Sequence, residues 1–131
     1  MSSALTQTKY RAVIENYFSK IAPKDNLAAL NTAFCNEGAY IHIKKNKVSK
    51  RPIQIIHFST AKESALLLQP RNLIIVDENA HVQVIERHQS LTENPTLTNS
   101  VTEIFANKRA NIDYYKTVSY THLRAHETHL N

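Results

Sequence analysis

The sequence predicts a mainly β domain entered through two short helices, and three observations carry that expectation. Apolar residues recur at three- and four-residue steps near the start of the chain, between Tyr10 and Phe34. From Ala39 onward they gather instead into short β-rich runs. Those runs come in pairs, and the pairs repeat at about 30 residues, the period of a stacked supersecondary unit.

Tyr10, Val13, Ile14, Tyr17, Phe18 and Ile21 form one apolar stripe on the first helix. Pro23 lacks the N–H that another turn would need, so it is expected to end that helix. Asp25 or Asn26 then caps a second helix running through Leu27, Leu30 and Phe34. Gly38, the only glycine, is expected at its C-terminus, where a left-handed residue closes a helix.

The predicted strands are residues 40–43, 53–56, 73–76, 82–85, 103–106 and 112–115. A shift of 30 lays Ile74, Ile75, Val82 and Val84 on Ile104, Phe105, Ile112 and Tyr114, and Ala80 on Ala110. A shift of 29 lays residues 53–56 on residues 82–85. A repeated two-strand unit suits stacked coils, each burying its apolar edge on the next. An antiparallel sandwich is the alternative. Its hairpins usually carry Asn-Gly or Asp-Gly turns, and the chain has neither. Periodicity alone leaves both architectures open.

Composition narrows the function classes. The 131 residues suit one domain, and a 42% hydrophobic share argues against wholesale disorder. No apolar run approaches the length of a membrane span, and the N-terminal residues lack the apolar core of a secretory signal. The expected chain is therefore soluble and cytoplasmic, with no membrane partner. One cysteine cannot build a disulfide framework, nor by itself hold zinc or an iron–sulfur cluster. The sequence lacks G-x-x-x-x-G-K, so any ATP use falls to a partner.

Net charge is +5, and Lys44-Lys45-Asn46-Lys47-Val48-Ser49-Lys50-Arg51 holds five of the basic residues. Such a run can bind phosphate backbones, which makes a nucleic-acid module one alternative function. It lies between apolar stretches and has no interleaved aromatics for base stacking, so a solvated turn is the favoured reading.

Three constellations could carry chemistry. His122, His126 and His129 would align on a helix and could hold a transition metal, the basis of a second alternative, a small metal-dependent enzyme using scattered His and Glu. Cys35 falls in the last turn of the second helix, where the dipole disfavours a thiolate, so a structural role is expected. The repeat shifts place His57, Glu86 and Lys116 in one column at about 4.8 Å per strand, with His88 nearby. That column reads as a polar ladder stabilised by cross-strand pairing, or as a cluster that handles protons or contacts iron. No catalytic residue is assigned.

Several segments carry a resemblance. They are Leu30-Asn31-Thr32-Ala33-Phe34, Glu37 to Ile43, Arg51-Pro52-Ile53-Gln54-Ile55, Gln69-Pro70-Arg71 through Val76, Asn79-Ala80-His81-Val82, Glu86-Arg87-His88, and Asn99 through Glu103 to Ala110. In order and spacing they resemble the SufB/SufD family of the SUF iron–sulfur cluster assembly system, its SufD branch in particular. Asn31, Gly38, Pro52, Pro70, Arg71, Glu86 and His88 are the family-like structural positions.

The resemblance implies a right-handed parallel β-helix of about three coils, with approach helices over residues 1–38 and a partial β-helix core over residues 39–117. It implies a non-catalytic scaffold that pairs with a SufB-like paralogue and works with a SufC-like ATPase bound through a C-terminal region. An iron–sulfur cluster belongs to the assembled complex and ATP to the ATPase; no cofactor, and no metal ligand, is assigned to the fragment alone. Residues 118–131 resemble translated sequencing-adapter read-through and are set apart as a non-native tail. A β-helix cut part-way is expected to be marginally stable and prone to associate.

Overall fold

The computed structural model describes residues 7–21, 24–60, 65–91 and 94–119. Two helices, α1 (Thr8–Tyr17) and α2 (Asn26–Phe34), precede eight strands. These are β1 (Tyr40–Ile43), β2 (Ile53–Ser59), β3 (Leu66–Leu68), β4 (Arg71–Val76), β5 (His81–Ser90), β6 (Thr96–Thr98), β7 (Val101–Ala106) and β8 (Asn111–Ser119).

The strands form three parallel sheets, ordered β1-β4-β7, β2-β5-β8 and β3-β6. Neighbours in a sheet are never consecutive in the chain. Leu73 pairs with Glu103, Val82 with Ile112 and Leu66 with Thr96, each 30 residues on. The expected mainly β fold is present, and parallel pairing excludes an antiparallel sandwich for these strands.

The first two sheets face each other across the main core. Ile74, Val76, Ala80, Val82, Val84 and Ile55 are buried there, with Ile41, Ile104 and Ile112 packed against them. The other face of β4 is covered by α1: Ile14 packs on Leu73 and Ile75, and Tyr17 meets Phe105 edge-on at 4.8 Å between ring centres. Every residue of β4 is therefore buried. Burying both faces is what lets a parallel strand read as an unbroken apolar run.

The turns stack as regularly as the strands. Asn46, Asn79 and Arg109 occupy equivalent left-handed positions, with φ of 60°, 56° and 56°. Asn79 donates to the Asn46 side chain at 3.0 Å, and Arg109 donates to Asn79 at 2.6 Å. Beside them Glu78 pairs with Lys45 at 2.6 Å and Arg109 at 2.7 Å. The basic run thus begins in a turn, with Lys45 paired to an acid one layer on.

Four expectations on local structure need correction. Helix α1 ends at Tyr17 without reaching Ile21, because the Glu103 carboxylate accepts the N–H groups of Ser19 (2.8 Å) and Ile21 (3.1 Å), and Ser19 turns the chain with φ of 60°. Pro23 lies outside the described residues. Gly38 does not close α2, which Cys35 caps with φ of −67°; Asp25 does cap its start, accepting from the Ala28 N–H at 2.7 Å. Instead Gly38, at φ of +145°, runs so close to Arg71 that a Cβ would overlap the arginine's carbonyl oxygen. The register of β2 on β5 is 31, not 29: Ile53 pairs with Val84 and His57 with His88. Finally, β3 and β6 are additional strands, and β8 runs from Asn111 to Ser119 where residues 112–115 are expected.

Candidate functional site

Strand side chains alternate between faces, and on β5 the inward set is Val82, Val84, Glu86 and His88, all buried. The strand enters the core with two valines and leaves it with a carboxylate and an imidazole. Parallel pairing extends each position into a row. Ile53, Val84 and Tyr114 form one; Ile55, Glu86 and Lys116 the next; His57, His88 and Val118 the third. The predicted column of His57, Glu86 and Lys116 is therefore split between two adjacent rows. All three nevertheless meet, because the rows share one face.

Glu86 is the centre of this cluster and is fully buried. Its Oε1 accepts from His88 Nε2 at 2.6 Å and from the Ser100 hydroxyl at 3.2 Å. Its Oε2 accepts from the Thr102 hydroxyl at 3.0 Å and from the Tyr114 hydroxyl. Lys116 Nζ stands 3.5 Å from Oε1 and His57 Nε2 3.7 Å from it. The two imidazoles stack, with ring centres 4.6 Å apart and planes 21° from parallel. His57 Nε2 is buried without a hydrogen-bond partner.

The charges follow from these contacts. Burial alone would push the Glu86 carboxyl up; the hydrogen bonds from His88, Tyr114 and Thr102 and the charge of Lys116 outweigh it and hold the group well below the usual carboxylate range. Tyr114 is pushed up to about 12, first by burial and then by donating to that carboxylate. His57 is lowered, chiefly by burial and then by His88, which together outweigh the attraction of Glu86. A permanent carboxylate beside a neutral imidazole can hold a cation or a proton.

Polar contacts carry the cluster into the neighbouring sheet. Asn72 donates to Thr102 at 3.2 Å and accepts the Ala39 N–H at 2.9 Å. A cleft of about 190 Å³ opens beside the imidazoles, lined among others by His57, His88, Ser59, Pro70 and Thr98.

A second buried polar centre joins the helices to the sheets. Arg71, fully buried, donates to Glu103 at 2.7 Å and to Asn31 and Thr32, each at 3.2 Å, and its guanidinium lies 4.9 Å over the Phe18 ring. Asn31 donates to the carbonyls of Pro70 (3.0 Å) and Asn99 (2.7 Å). The family-like positions Asn31, Gly38, Pro70 and Arg71 thus fall in one docking region, whereas Pro52 is exposed just ahead of β2. Glu103 is a site residue that the sequence-based expectations do not include. Its place next to Ile104 and Phe105 in a β run is the one sequence signal of a buried acid.

Cys35 sits at the end of α2, with its thiol 3.7 Å from the Thr32 carbonyl. His122, His126 and His129 lie outside the described residues. Among the described residues, no helix is long and apolar enough to cross a membrane.

Comparison with known proteins supplies the context. Residues 1–55 match the family described as the SufBD protein N-terminal region. Residues 57–130 match the SUF system FeS cluster assembly SufBD core domain, a match that extends over most of the stretch set apart as a tail. The chain is 26% identical over 115 residues to an iron–sulfur cluster assembly SufBD family protein of Synechocystis, covering 81% of this chain and 25% of that protein. It is 28% identical to the iron–sulfur cluster assembly protein SufD of Bacillus subtilis (78% and 24% covered) and 33% identical to a SufBD family protein of Staphylococcus aureus (78% and 22% covered). The chain spans about a quarter of the length of these relatives. No solved structure matches significantly.

Proposed function

The chain belongs to the SufBD family of iron–sulfur cluster assembly proteins, and from that premise we propose that it is a non-catalytic scaffold segment acting through protein–protein contacts. The observation that carries the reading is the consecutive match of the N-terminal region and the core domain along one chain. The three parallel sheets, paired at offsets of 30 to 33 residues, support reading the strands as coils of a right-handed parallel β-helix.

In this reading the sheets pair with a SufB-like paralogue, while contact with a SufC-like ATPase falls to the family's C-terminal region. The cluster under construction is cargo of the assembled complex, and ATP is consumed by the ATPase. The buried centres of this chain serve the scaffold: Arg71 and Glu103 fix the helices on the sheets, and the stacked turns keep the layers in register.

The test is to co-express the chain with the paralogous subunit of the same organism and with the ATPase. Retention of the paralogue, and none of the ATPase when it is the sole partner, is expected. A folded chain, verified by circular dichroism, that retains no paralogue overturns the reading.

A further inference from the structure

We infer that His57, Glu86 and His88 form a binding site for one first-row divalent transition-metal ion, held by His57 Nε2, His88 Nε2 and Glu86 Oε1. The inference goes beyond the scaffold reading and stands independently of it.

The donor set comes first. Two imidazoles and one carboxylate converge, with one ligand atom from each within 4.8 Å of the others. Ligand atoms bound at about 2.0–2.2 Å in a tetrahedral site lie about 3.3 Å from one another. Here His88 stands 2.6 Å and His57 3.7 Å from the shared oxygen, distances that bracket that value. All three ligand atoms lie within 4.8 Å of one another, so closing on an ion takes side-chain shifts on the order of 1–1.5 Å.

The environment is that of a supported site. Glu86 Oε2 is occupied by Thr102 and Tyr114, which fix the carboxylate plane and leave Oε1 facing the imidazoles. Thr102 is itself held by Asn72. Such outer hydrogen bonds are what orient metal ligands. His57 Nε2 is buried without a hydrogen-bond partner, and a metal ion would occupy that idle donor. Unpaired buried polar atoms are uncommon and call for an explanation. The cleft beside His57 and His88 offers an entry path and space for a fourth ligand.

The proton balance is simple. His88 Nε2 donates to an ionised carboxylate, so it carries a hydrogen. Binding at Nε2 needs that hydrogen on Nδ1 instead, the tautomer in which Nε2 offers its lone pair, so a neutral His88 takes the ion by a tautomer shift with no net proton released. Lys116 opposes the ion, since its ammonium stands 3.5 Å from the same oxygen. Its side chain is 37% exposed and can swing into water. Imidazole and carboxylate ligands together favour zinc, cobalt or ferrous ions over calcium or magnesium.

Cobalt(II) chloride is the probe, added to the full chain carrying His122→Ala, His126→Ala and His129→Ala so that the tail imidazoles do not compete. One equivalent is expected to produce a visible absorption band that zinc abolishes. His57→Gln, His88→Gln and Glu86→Gln, each checked by circular dichroism, should weaken binding by at least about tenfold. Lys116→Gln should tighten it several-fold, a change that a purely structural ladder would not produce. A second measurement covers variants that fail to fold: cobalt should raise the thermal midpoint of the parent chain, as any ligand selective for the native state does. Absence of both the band and the midpoint shift overturns the inference, as does binding indifferent to His57→Gln and His88→Gln in folded chains.

Discussion

Gly38 and Arg71 run side by side with no room for a side chain between them: the N–H of Arg71 bonds to the Glu37 carbonyl at 2.9 Å, and a Cβ on Gly38 would overlap the Arg71 carbonyl oxygen. The glycine also holds φ of +145°, a backbone region that L side chains rarely adopt. Gly38→Ala should therefore cost at least about 2 kcal/mol, since strain of this kind alone costs about 1–3 kcal/mol and overlap with backbone adds to it. Urea denaturation would check it. A loss under about 0.5 kcal/mol would mean that β1 can move away from β4 freely.

The same residues show what the sequence conveys and what it withholds. Positions of the long strands were legible because burial on the inward face imposes a period of two. The β2 register differs by two residues from the one the repeat predicts, and a shift of two keeps every side chain on its own face. His57, Glu86 and Lys116 thus lie on one face, in two adjacent rows and not in the single column that the repeat shifts predict. Strands β3 and β6 have three residues each, too few to display alternation. Arg71 and Glu103 stand on neighbouring strands, two positions apart in the pairing of β4 on β7. The Ser19 and Ile21 N–H groups that complete the centre come from the chain after α1, whose path over the sheet is set by packing and encoded by no strand periodicity.

Glu103 should make folding sensitive to acid. Burial would push its carboxyl up, but the N–H groups of Ser19 and Ile21 and the guanidinium of Arg71 outweigh that and lower it. A carboxyl lowered in the folded state stabilises fully above its unfolded value, about 4.3, and loses that contribution as pH falls through the folded value. Glu103→Gln should cost about 3–5 kcal/mol at pH 7, the usual penalty for leaving one partner of a buried pair uncompensated. The gap to the parent chain should shrink below about pH 4. Urea titrations of both proteins from pH 7 to pH 3 decide it, and a constant gap would remove the ionised Glu103 from the account.

Asn31 holds α2 to the sheets through three contacts: the carbonyls of Pro70 and Asn99, and the guanidinium of Arg71. Leucine would fit the volume but leave two buried carbonyls and part of a buried cation without their partner. A loss of about 2–4 kcal/mol is expected for Asn31→Leu, from penalties of about 1–3 kcal/mol for each unsatisfied group. Amide exchange should accelerate first in residues 26–34. Uniform acceleration through β4 and β5 as well would show that the helix is no separate unit of stability.

The paired turns should respond in the opposite way. Glu78 accepts from Lys45 and Arg109, whose side chains are 59% and 62% exposed. Charges so open to water are screened, and holding long side chains in place costs entropy that offsets the attraction. Glu78→Gln should thus cost under about 1 kcal/mol, and the difference should vanish near 1 M salt, where the screening length falls to about 3 Å. The stacked left-handed residues Asn46, Asn79 and Arg109 keep the layers aligned through short-range hydrogen bonds that salt does not weaken. A larger loss that persists in salt would make Glu78 a structural tie of the Arg71–Glu103 kind. The basic run starting at Lys44 would then be part of the layer-to-layer framework and no longer a solvated turn.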